Sequence, residues 1–233
     1  DRAMRWGFGW RLGPFELWDA LGVGAVAEHM ALDGRDVPDL VSDLAALGHD
    51  TFYAASGGAT KVFLPAVRRH EVLPPRPRVL ELGALKAAGG VIDRCDDAAL
   101  VDLGDGVACL EFTSKMNTLT PALGEFTLKA LDRVERDHAG LVVGNDAEHF
   151  SAGANLMMVL GALAQGGMDA VESMVAAFQQ LNQSLRFAAR PVVVATRGRV
   201  LGGGCELLMH GHAACAAAES YIGLVEVGAG LIP

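Results

Sequence analysis

The chain has 233 residues, a formal net charge of −9 and 51% hydrophobic residues. This length and apolar content allow one large domain or two small ones, each with its own core. The acidic balance and the absence of a basic stripe disfavour nucleic acid as a partner, and no apolar run reaches the roughly 18 residues of a membrane span. The four cysteines are scattered, without metal or redox spacing, which predicts reduced thiols and a cytoplasmic location.

The first 50 residues have the pattern of short helices. Apolar residues recur at helical spacing in "PFELWDALGVGAVAEHMAL", and a second helical pattern opens at Asp36 and Pro38 and stops at Gly48. The stretch "GVGAVA", Gly22 to Ala27, loosely fits a dinucleotide-binding fingerprint, but no buried strand precedes it. We therefore expect a turn that ends a helix there, and no nucleotide site.

Residues 51–89 have the composition of a hairpin followed by a linker. Two short extended pieces flank Gly57-Gly58, which predicts a hairpin-like unit. Three prolines then fall within the four residues from Pro74 to Pro77, which is typical of a linker. We expect the chain to change domain in this segment.

From residue 90 onward strands and helices alternate. The stretch "AALVDLGDGVACLEFT" predicts two strands joined by a hairpin turn at Gly104-Asp105-Gly106. The strand patterns "GLVVGN" and "RPVVVATRG" follow, each preceded by a helical pattern. The first of these helices, "TPALGEFTLKALDRVERDH", is amphipathic, with apolar residues at Leu123, Phe126, Leu128, Leu131 and Val134. This alternation predicts an α/β fold in which much of the sheet is covered.

Three glycines, Gly202 to Gly204, lead from the second buried strand into Cys205, Glu206 and an apolar helical segment. Glycine lets a ligand come close to main-chain N–H groups. A helix that begins there would direct its first free N–H groups, and the positive end of its dipole, toward a developing negative charge. A tight strand-to-helix packing turn, with Glu206 placed against the dipole, explains this stretch alone equally well.

Two further stretches favour a reactive site. "HFSAGANL", His149 to Leu156, also follows a buried strand and runs small-Gly-small before an apolar helix. "SYIGLVEVGAGLIP" places Glu226 among apolar and glycine residues, where burial of an ionised carboxylate is costly. Two such glutamates and two backbone-donor loops suit acid–base chemistry beside an oxyanion hole. No grouping of His, Cys and acidic residues predicts a metal site.

Four motifs in register resemble the crotonase (enoyl-CoA hydratase/isomerase) superfamily, and "GPFELWD" near the N-terminus resembles the C-terminal domain of 3-hydroxyacyl-CoA dehydrogenases. The crotonase motifs are "SKMNTLT" (114–120), "HFSAGANL" (149–156), "PVVVATRGRVLGGGCEL" (191–207) and "SYIGLVEVGAGLIP" (220–233). Dehydrogenase before hydratase is one order found in bifunctional bacterial β-oxidation proteins. The resemblance implies a helical remnant of the dehydrogenase domain at 1–50, the hairpin and Pro-rich linker at 51–89, and a crotonase-like ββα spiral at 90–233.

The resemblance also implies a longer parent protein. The chain does not begin with Met and, by the family pattern, further helices would follow Pro233, so we expect an internal piece truncated at its C-terminal end. No cofactor is expected for this piece, since acyl-CoA would be the substrate, whereas the dehydrogenase domain of the parent would use NAD. Expected partners are the acyl-CoA thioester and either further copies of the chain or other β-oxidation enzymes.

The family pattern assigns roles to individual residues. Glu206 and Glu226 match the two glutamates that add water to a trans-2-enoyl-CoA, and the backbone N–H groups of Ala152 and Gly203 would form the oxyanion hole. The other substrate-binding residues implied are Gly153, Ala154, Gly202, Gly204, Lys115 and Asn117. Asn155 departs from the pattern, which often has Asp there. The alternative functions are an enoyl-CoA isomerase and a catalytically silent acyl-CoA-binding or assembly fragment.

Overall fold

The structure, a computed structural model, describes residues 1–56, 59–73 and 79–232. They form two compact units, Asp1–Val79 and Leu80–Pro233. The boundary between the units falls inside the segment 51–89. The predicted turn at Gly57-Gly58 and the three linker prolines lie outside the described residues.

The first unit consists of four short helices and a three-stranded sheet. Gly22, with φ 87°, ends the second helix, as predicted, while residues 23–27 of the same stretch lie within the third helix. The sheet is antiparallel in the order β1-β2-β3. The elements are α1 (Arg2–Phe8), α2 (Pro14–Leu21), α3 (Val23–Leu32), α4 (Asp39–Ala46), β1 (Tyr53–Ser56), β2 (Ala59–Leu64) and β3 (Arg69–Val72).

A small core joins the helices of the first unit to its sheet. Val41, Leu44, Phe52 and Phe63 are buried together in it. The last residue of "GPFELWD", Asp19, adds a polar link, because its carboxylate accepts the backbone N–H groups of Phe52 at 2.7 Å and of Tyr53 at 2.9 Å. The motif therefore has a clear structural role in this unit.

The second unit alternates strands and helices, as the sequence predicts. Two short turns of 3-10 helix lie at Lys115–Asn117 and Glu226–Ala229. The elements are α5 (Leu82–Ala87), β4 (Val91–Arg94), β5 (Ala98–Gly104), β6 (Val107–Phe112), α6 (Pro121–Asp137), β7 (Gly140–Val143), α7 (Leu156–Arg186), β8 (Val192–Thr196), β9 (Arg199–Leu201), α8 (Gly203–His210), β10 (Ala213–Ala216) and β11 (Tyr221–Gly223). Gly167, with φ 66°, interrupts the helical path of α7.

The main sheet of the second unit has six strands in the order β10-β8-β7-β6-β5-β4. β4, β5 and β6 pair antiparallel, and the predicted turn at residues 104–106 joins β5 to β6. β6, β7, β8 and β10 pair parallel. β9 and β11 form a separate parallel pair, and the glycine run follows directly after β9. The fold class is α/β, as predicted.

One face of the main sheet packs against α6, α7 and α8 to form the largest core. On α6, Leu123, Phe126 and Val134 are buried, and Leu131 packs partly buried against the same core. Leu128 is an apolar residue of α6 that is not part of this core, since it is 37% exposed. Five residues separate it from Leu123, about 140° around the helix, so it falls outside the buried stripe.

The opposite face of the sheet carries α5 and a partly buried ion pair. Lys86 of α5 places its Nζ 2.9 and 2.7 Å from the two carboxylate oxygens of Glu111 on β6, which is 6% exposed. Within the described ranges, no helix is both long and apolar enough to cross a membrane.

Candidate active site

The structure brings the four motif segments of the second unit together at one place. Residues of "HFSAGANL" bridge to both neighbouring segments, through Leu119 with Ala154 and through Ser151 with Val200 of β9. β11, in the last motif, pairs with β9, and the Gly202 N–H donates to the carbonyl of Gly223 at 3.0 Å. Short main-chain links therefore hold residues that lie far apart in the sequence.

The glycine run forms the start of α8. The helix begins at Gly203, as predicted, and Gly202 precedes it with φ 52° and ψ −124°. A Cβ atom on Gly203 would lie 2.8 Å from Leu119 Cδ1 and 3.1 Å from the ring of Phe178. The third glycine, Gly204, is equally enclosed by Ser151. Side chains at these positions would push neighbouring segments away from the helix end, so close packing also requires the glycines.

The two glutamates approach this helix end from different elements. Glu206 lies in the first turn of α8, and Glu226 begins the 3-10 turn that follows β11. Glu226 Oε1 is 2.7 Å from the position that a Cβ on Gly202 would take. Glu226 Oε2 is buried and has no hydrogen-bond partner among the described residues. One carboxylate oxygen is thus enclosed without a donor.

The electrostatics couple the two carboxylates. Burial, and next the charge of Glu226, raise the pKa of Glu206, while the neighbouring His210 acts in the opposite direction. Like charges this close favour protonation of one of the pair. The site therefore combines a carboxyl group that holds its proton more readily with a second carboxyl group beside it.

Cys205 lies between the glycines and Glu206. Its side chain is buried, and burial together with the charges of Glu226 and Glu206 raises the pKa of its thiol. The thiolate is the reactive form of cysteine, and this environment disfavours it. The burial of Cys205 fits a small apolar packing residue better than a nucleophile.

The backbone N–H groups around the site divide into engaged and free donors. The Ala152 N–H donates to the carbonyl of Met116 at 3.2 Å, and the Gly153 N–H donates to Ser151 Oγ at 3.0 Å. Among the described residues, the N–H groups of Ala154 and Gly203 have no acceptor. Gly153, with φ 85° and directly before Ala154, lies against the start of α8, because its Cβ position would be 3.3 Å from the Gly203 nitrogen.

This geometry corrects one predicted role. Ala152 was expected to supply an oxyanion donor, but its N–H already has a partner within the chain. The partner comes from an unusual turn in which Met116 and Asn117 have φ values of 58° and 49°. That left-handed turn directs the Met116 carbonyl toward the loop. Ala154, two residues further, is the donor left free beside Gly203.

The predicted binding residues Lys115 and Asn117 have different surroundings. Lys115 is exposed in the 3-10 turn, where its ammonium group is accessible. Asn117 is 5% exposed, and its Nδ2 donates to the His149 carbonyl at 2.9 Å. The side-chain amide of Asn117 therefore joins two protein segments. Asn155 caps α7, because its Oδ1 accepts the Met157 N–H at 3.1 Å.

Two contributors were missed by the sequence reasoning. Ser151 is fully buried and makes hydrogen bonds to two segments, and the Met116 carbonyl engages the Ala152 N–H. Ser151 places a hydroxyl group between Phe150 and the small residues of the loop, and this pattern could have indicated its hydrogen-bonding role. No local signal indicated Met116, since its role depends on the fold.

The stretch Gly22 to Ala27 does not have the geometry of a dinucleotide site. Gly22 joins α2 to α3 and residues 23–27 lie inside α3, so this stretch does not follow a strand and lacks the strand-to-helix turn that binds a pyrophosphate. No step with NAD is therefore assigned to this chain. Among residues 1–56, 59–73 and 79–232, no group of three or more His, Cys, Asp or Glu side chains is arranged to hold a metal ion.

Known proteins share both the sequence and the fold of this chain. It is 40% identical over all 233 residues to a "Probable 3-hydroxyacyl-CoA dehydrogenase" of Bacillus subtilis (strain 168), and it spans 29% of that protein. It is 33% identical over 137 residues, 55% of this chain and 19% of the relative, to the "Fatty acid oxidation complex subunit alpha" of Idiomarina loihiensis. The chain thus spans less than a third of the length of either relative.

The second unit carries the family signal. A crystal structure of an enoyl-CoA hydratase/isomerase from Marinobacter aquaeolei shares its fold, with a TM-score of 0.55 at 23% identity over 60% of this chain and 55% of that one. The family profile described as "Enoyl-CoA hydratase/isomerase" matches residues 106–233, which include all four motif segments and both glutamates. The chain belongs to the enoyl-CoA hydratase/isomerase family.

Proposed function

We propose that the second unit hydrates trans-2-enoyl-CoA thioesters to 3-hydroxyacyl-CoA. The observation that carries this proposal is the pair Glu206 and Glu226 beside the free N–H of Gly203. Glu226 Oε1 lies against Gly202, and the charge of Glu226 acts on the Glu206 carboxyl group. Hydration needs a proton acceptor and a proton donor at neighbouring carbon atoms, which two adjacent carboxyl groups can supply.

The backbone donors would stabilise the transition state. The N–H groups of Gly203 and Ala154 would hold the thioester oxygen as it acquires enolate charge, with the positive end of the α8 dipole behind Gly203. We choose Ala154 over Ala152 because the Ala152 N–H is already engaged. Removal of one such donor typically lowers kcat by about 10²–10³-fold.

The carboxyl groups would add the elements of water. One ionised carboxylate takes a proton from water while the water oxygen bonds to the β-carbon of the enoyl group. The other, protonated carboxyl group delivers its proton to the α-carbon, and the double bond is consumed. The raised pKa of Glu206 supports that residue as the proton donor. The buried, unpartnered Glu226 Oε2 offers an acceptor for that water.

We propose that the parent protein also oxidises the hydration product. The 40% identity to a protein named as a probable 3-hydroxyacyl-CoA dehydrogenase extends over both units, and the hydration product is a 3-hydroxyacyl-CoA. That second activity would need NAD bound by residues outside this chain. The two reactions are consecutive, so one polypeptide carrying both would pass the product from the first site to the second.

The test is the hydration of crotonyl-CoA by the complete natural polypeptide that contains this chain, followed by loss of enoyl absorbance. Glu206→Gln and Glu226→Gln should each lower kcat by at least about 10²-fold. Glu219→Gln is the matched control, because Glu219 is an exposed carboxylate directly before the last motif segment, and kcat should stay within about twofold.

Product analysis separates the alternatives. Accumulation of 3-hydroxybutyryl-CoA supports hydration. Migration of the double bond of a 3-enoyl-CoA without hydration would make the site an isomerase. Binding of crotonyl-CoA without any turnover by the unmodified protein would leave only a thioester-binding role and would refute the proposed function.

A further inference from the structure

Ser151 lies at the junction of the segments that form the proposed oxyanion hole. Its main chain is fixed to β9, because its N–H donates to the Arg199 carbonyl at 3.2 Å and its carbonyl accepts the Leu201 N–H at 3.0 Å. Its side chain is fully buried. The backbone therefore holds this residue in place, and its hydroxyl group has no access to solvent.

The Ser151 hydroxyl group links two segments by hydrogen bonds. It donates to the Asn117 carbonyl at 2.7 Å and accepts the Gly153 N–H at 3.0 Å. A serine hydroxyl has one donor and two acceptor positions, so both bonds can form at once. The bond to Asn117 reaches the left-handed turn at Met116 and Asn117. Such a backbone conformation persists only where its surroundings hold it.

The same side chain also packs against the start of α8. A Cβ atom on Gly204 would lie 2.7 Å from Ser151 Cβ and 3.0 Å from Ser151 Oγ. The second residue of α8 thus rests directly on Ser151. The Ser151 side chain therefore contacts three segments: the Met116–Asn117 turn, the loop at Gly153 that precedes Ala154, and the helix turn that begins with Gly203.

We propose that Ser151 is a positioning residue that sets the distance between the two backbone donors, Ala154 and Gly203. This inference rests on the proposed hydration site. Through Gly153 the hydroxyl group fixes the direction of the loop just before Ala154, and through Gly204 its Cβ fixes the helix end that presents Gly203. Without the hydroxyl group, the buried Gly153 N–H and the Asn117 carbonyl lose their partner, and the loop relaxes toward another acceptor.

The proposal predicts a lower kcat with little change in KM, because the two donors matter most when negative charge develops on the thioester oxygen. Ser151→Ala keeps the Cβ contact with Gly204 but removes both hydrogen bonds of the hydroxyl group. A donor displaced by about 1 Å can lower the rate by about 10²-fold. We expect kcat for crotonyl-CoA to fall by about 10- to 100-fold, while KM stays within about threefold.

Binding of two probes isolates this effect from a general loss of structure. Acetoacetyl-CoA forms an enolate whose thioester oxygen carries negative charge, whereas free CoA has no thioester oxygen. Ser151→Ala should weaken the binding of acetoacetyl-CoA by about tenfold and leave the binding of free CoA unchanged. Thr127→Val is the matched control, because it removes another buried hydroxyl group, one that bonds only within α6 at 2.8 Å. It should change neither affinity nor kcat.

The outcomes are distinguishable. If Ser151→Ala matches Thr127→Val in kcat and in both affinities, or if it weakens both CoA ligands equally, the positioning role is wrong. If Ser151→Ala does not fold, judged by circular dichroism, Ser151→Cys replaces it. For this variant we expect smaller decreases in kcat and in acetoacetyl-CoA affinity, because a thiol still forms weak hydrogen bonds. If neither variant folds, Ser151 serves the fold alone and the proposal is overturned. If the unmodified protein binds acetoacetyl-CoA but does not hydrate crotonyl-CoA, the proposed function fails while the two binding measurements still test Ser151.

Discussion

Gly202→Ala should abolish most of the activity at a modest cost in stability. Gly202 has φ 52° and ψ −124°, a backbone conformation that glycine adopts readily and that costs an alanine at least about 1 kcal/mol. The added Cβ would lie 2.7 Å from Glu226 Oε1, so the carboxylate must retreat by roughly 0.7 Å to reach ordinary van der Waals contact. A shift of this size at a reacting group can cost about 10²-fold in rate.

Gly89→Ala provides the control for Gly202→Ala. Gly89 also lies in the second unit with a positive φ, of 89°, but a Cβ there would meet nothing within 4 Å. Both variants should lose at least about 1 kcal/mol in the free energy of unfolding measured with urea. Only Gly202→Ala should lower kcat for crotonyl-CoA, by about 10²-fold. Equal kcat values for the two variants would mean that the position of Glu226 beside Gly202 does not matter for the reaction, and the proposed role of that carboxylate would fail.

Two further predictions concern stability. The raised pKa of Glu206 means that the folded state holds the proton more tightly than the unfolded state, so the stability contributed by protonation declines as pH rises from about 4. Glu206→Gln should therefore lose activity and yet, at pH 7, have a higher urea midpoint of unfolding than the native chain. The difference between the two urea midpoints should vanish in acid. A lower urea midpoint for the variant at pH 7 would contradict this. Lys86→Met should cost about 3 kcal/mol, because it leaves Glu111 buried without its cation, whereas Lys86→Met with Glu111→Leu should come within about 1 kcal/mol of the native chain. Equal urea midpoints for the single and double variants would show that the unpaired carboxylate is not the cause.

Local patterns were sufficient for the regular elements. The turn at residues 104–106 was predictable because glycine and aspartate adopt the hairpin geometry there, and β5 and β6 pair as expected. The start of α8 within the glycine run followed from the strand before it and the apolar segment after it. The amphipathic pattern of α6 identified a helix with one buried face, and the angular position of Leu128 places it outside that face.

The donors of the site required the tertiary structure. Ala152 and Ala154 are both alanines beside one glycine, and nothing in their own neighbourhood separates their N–H groups. The Met116 carbonyl makes the difference, since it engages one N–H and leaves the other free. That carbonyl comes from more than thirty positions earlier, through a turn whose φ values no residue pattern indicated.

Sequence alone determined the α/β class, most helices and strands, and the family, because hydrophobic periodicity, turn residues and motif order are local or ordered along the chain. It also singled out the two glutamates as candidates. Only the tertiary structure decided which N–H groups are free, that Glu226 reaches Gly202, and that Ser151 joins three segments. Hydrogen bonds and pKa values depend on distances of a few tenths of an ångström between residues far apart in sequence. Those distances arise only when the segments pack together.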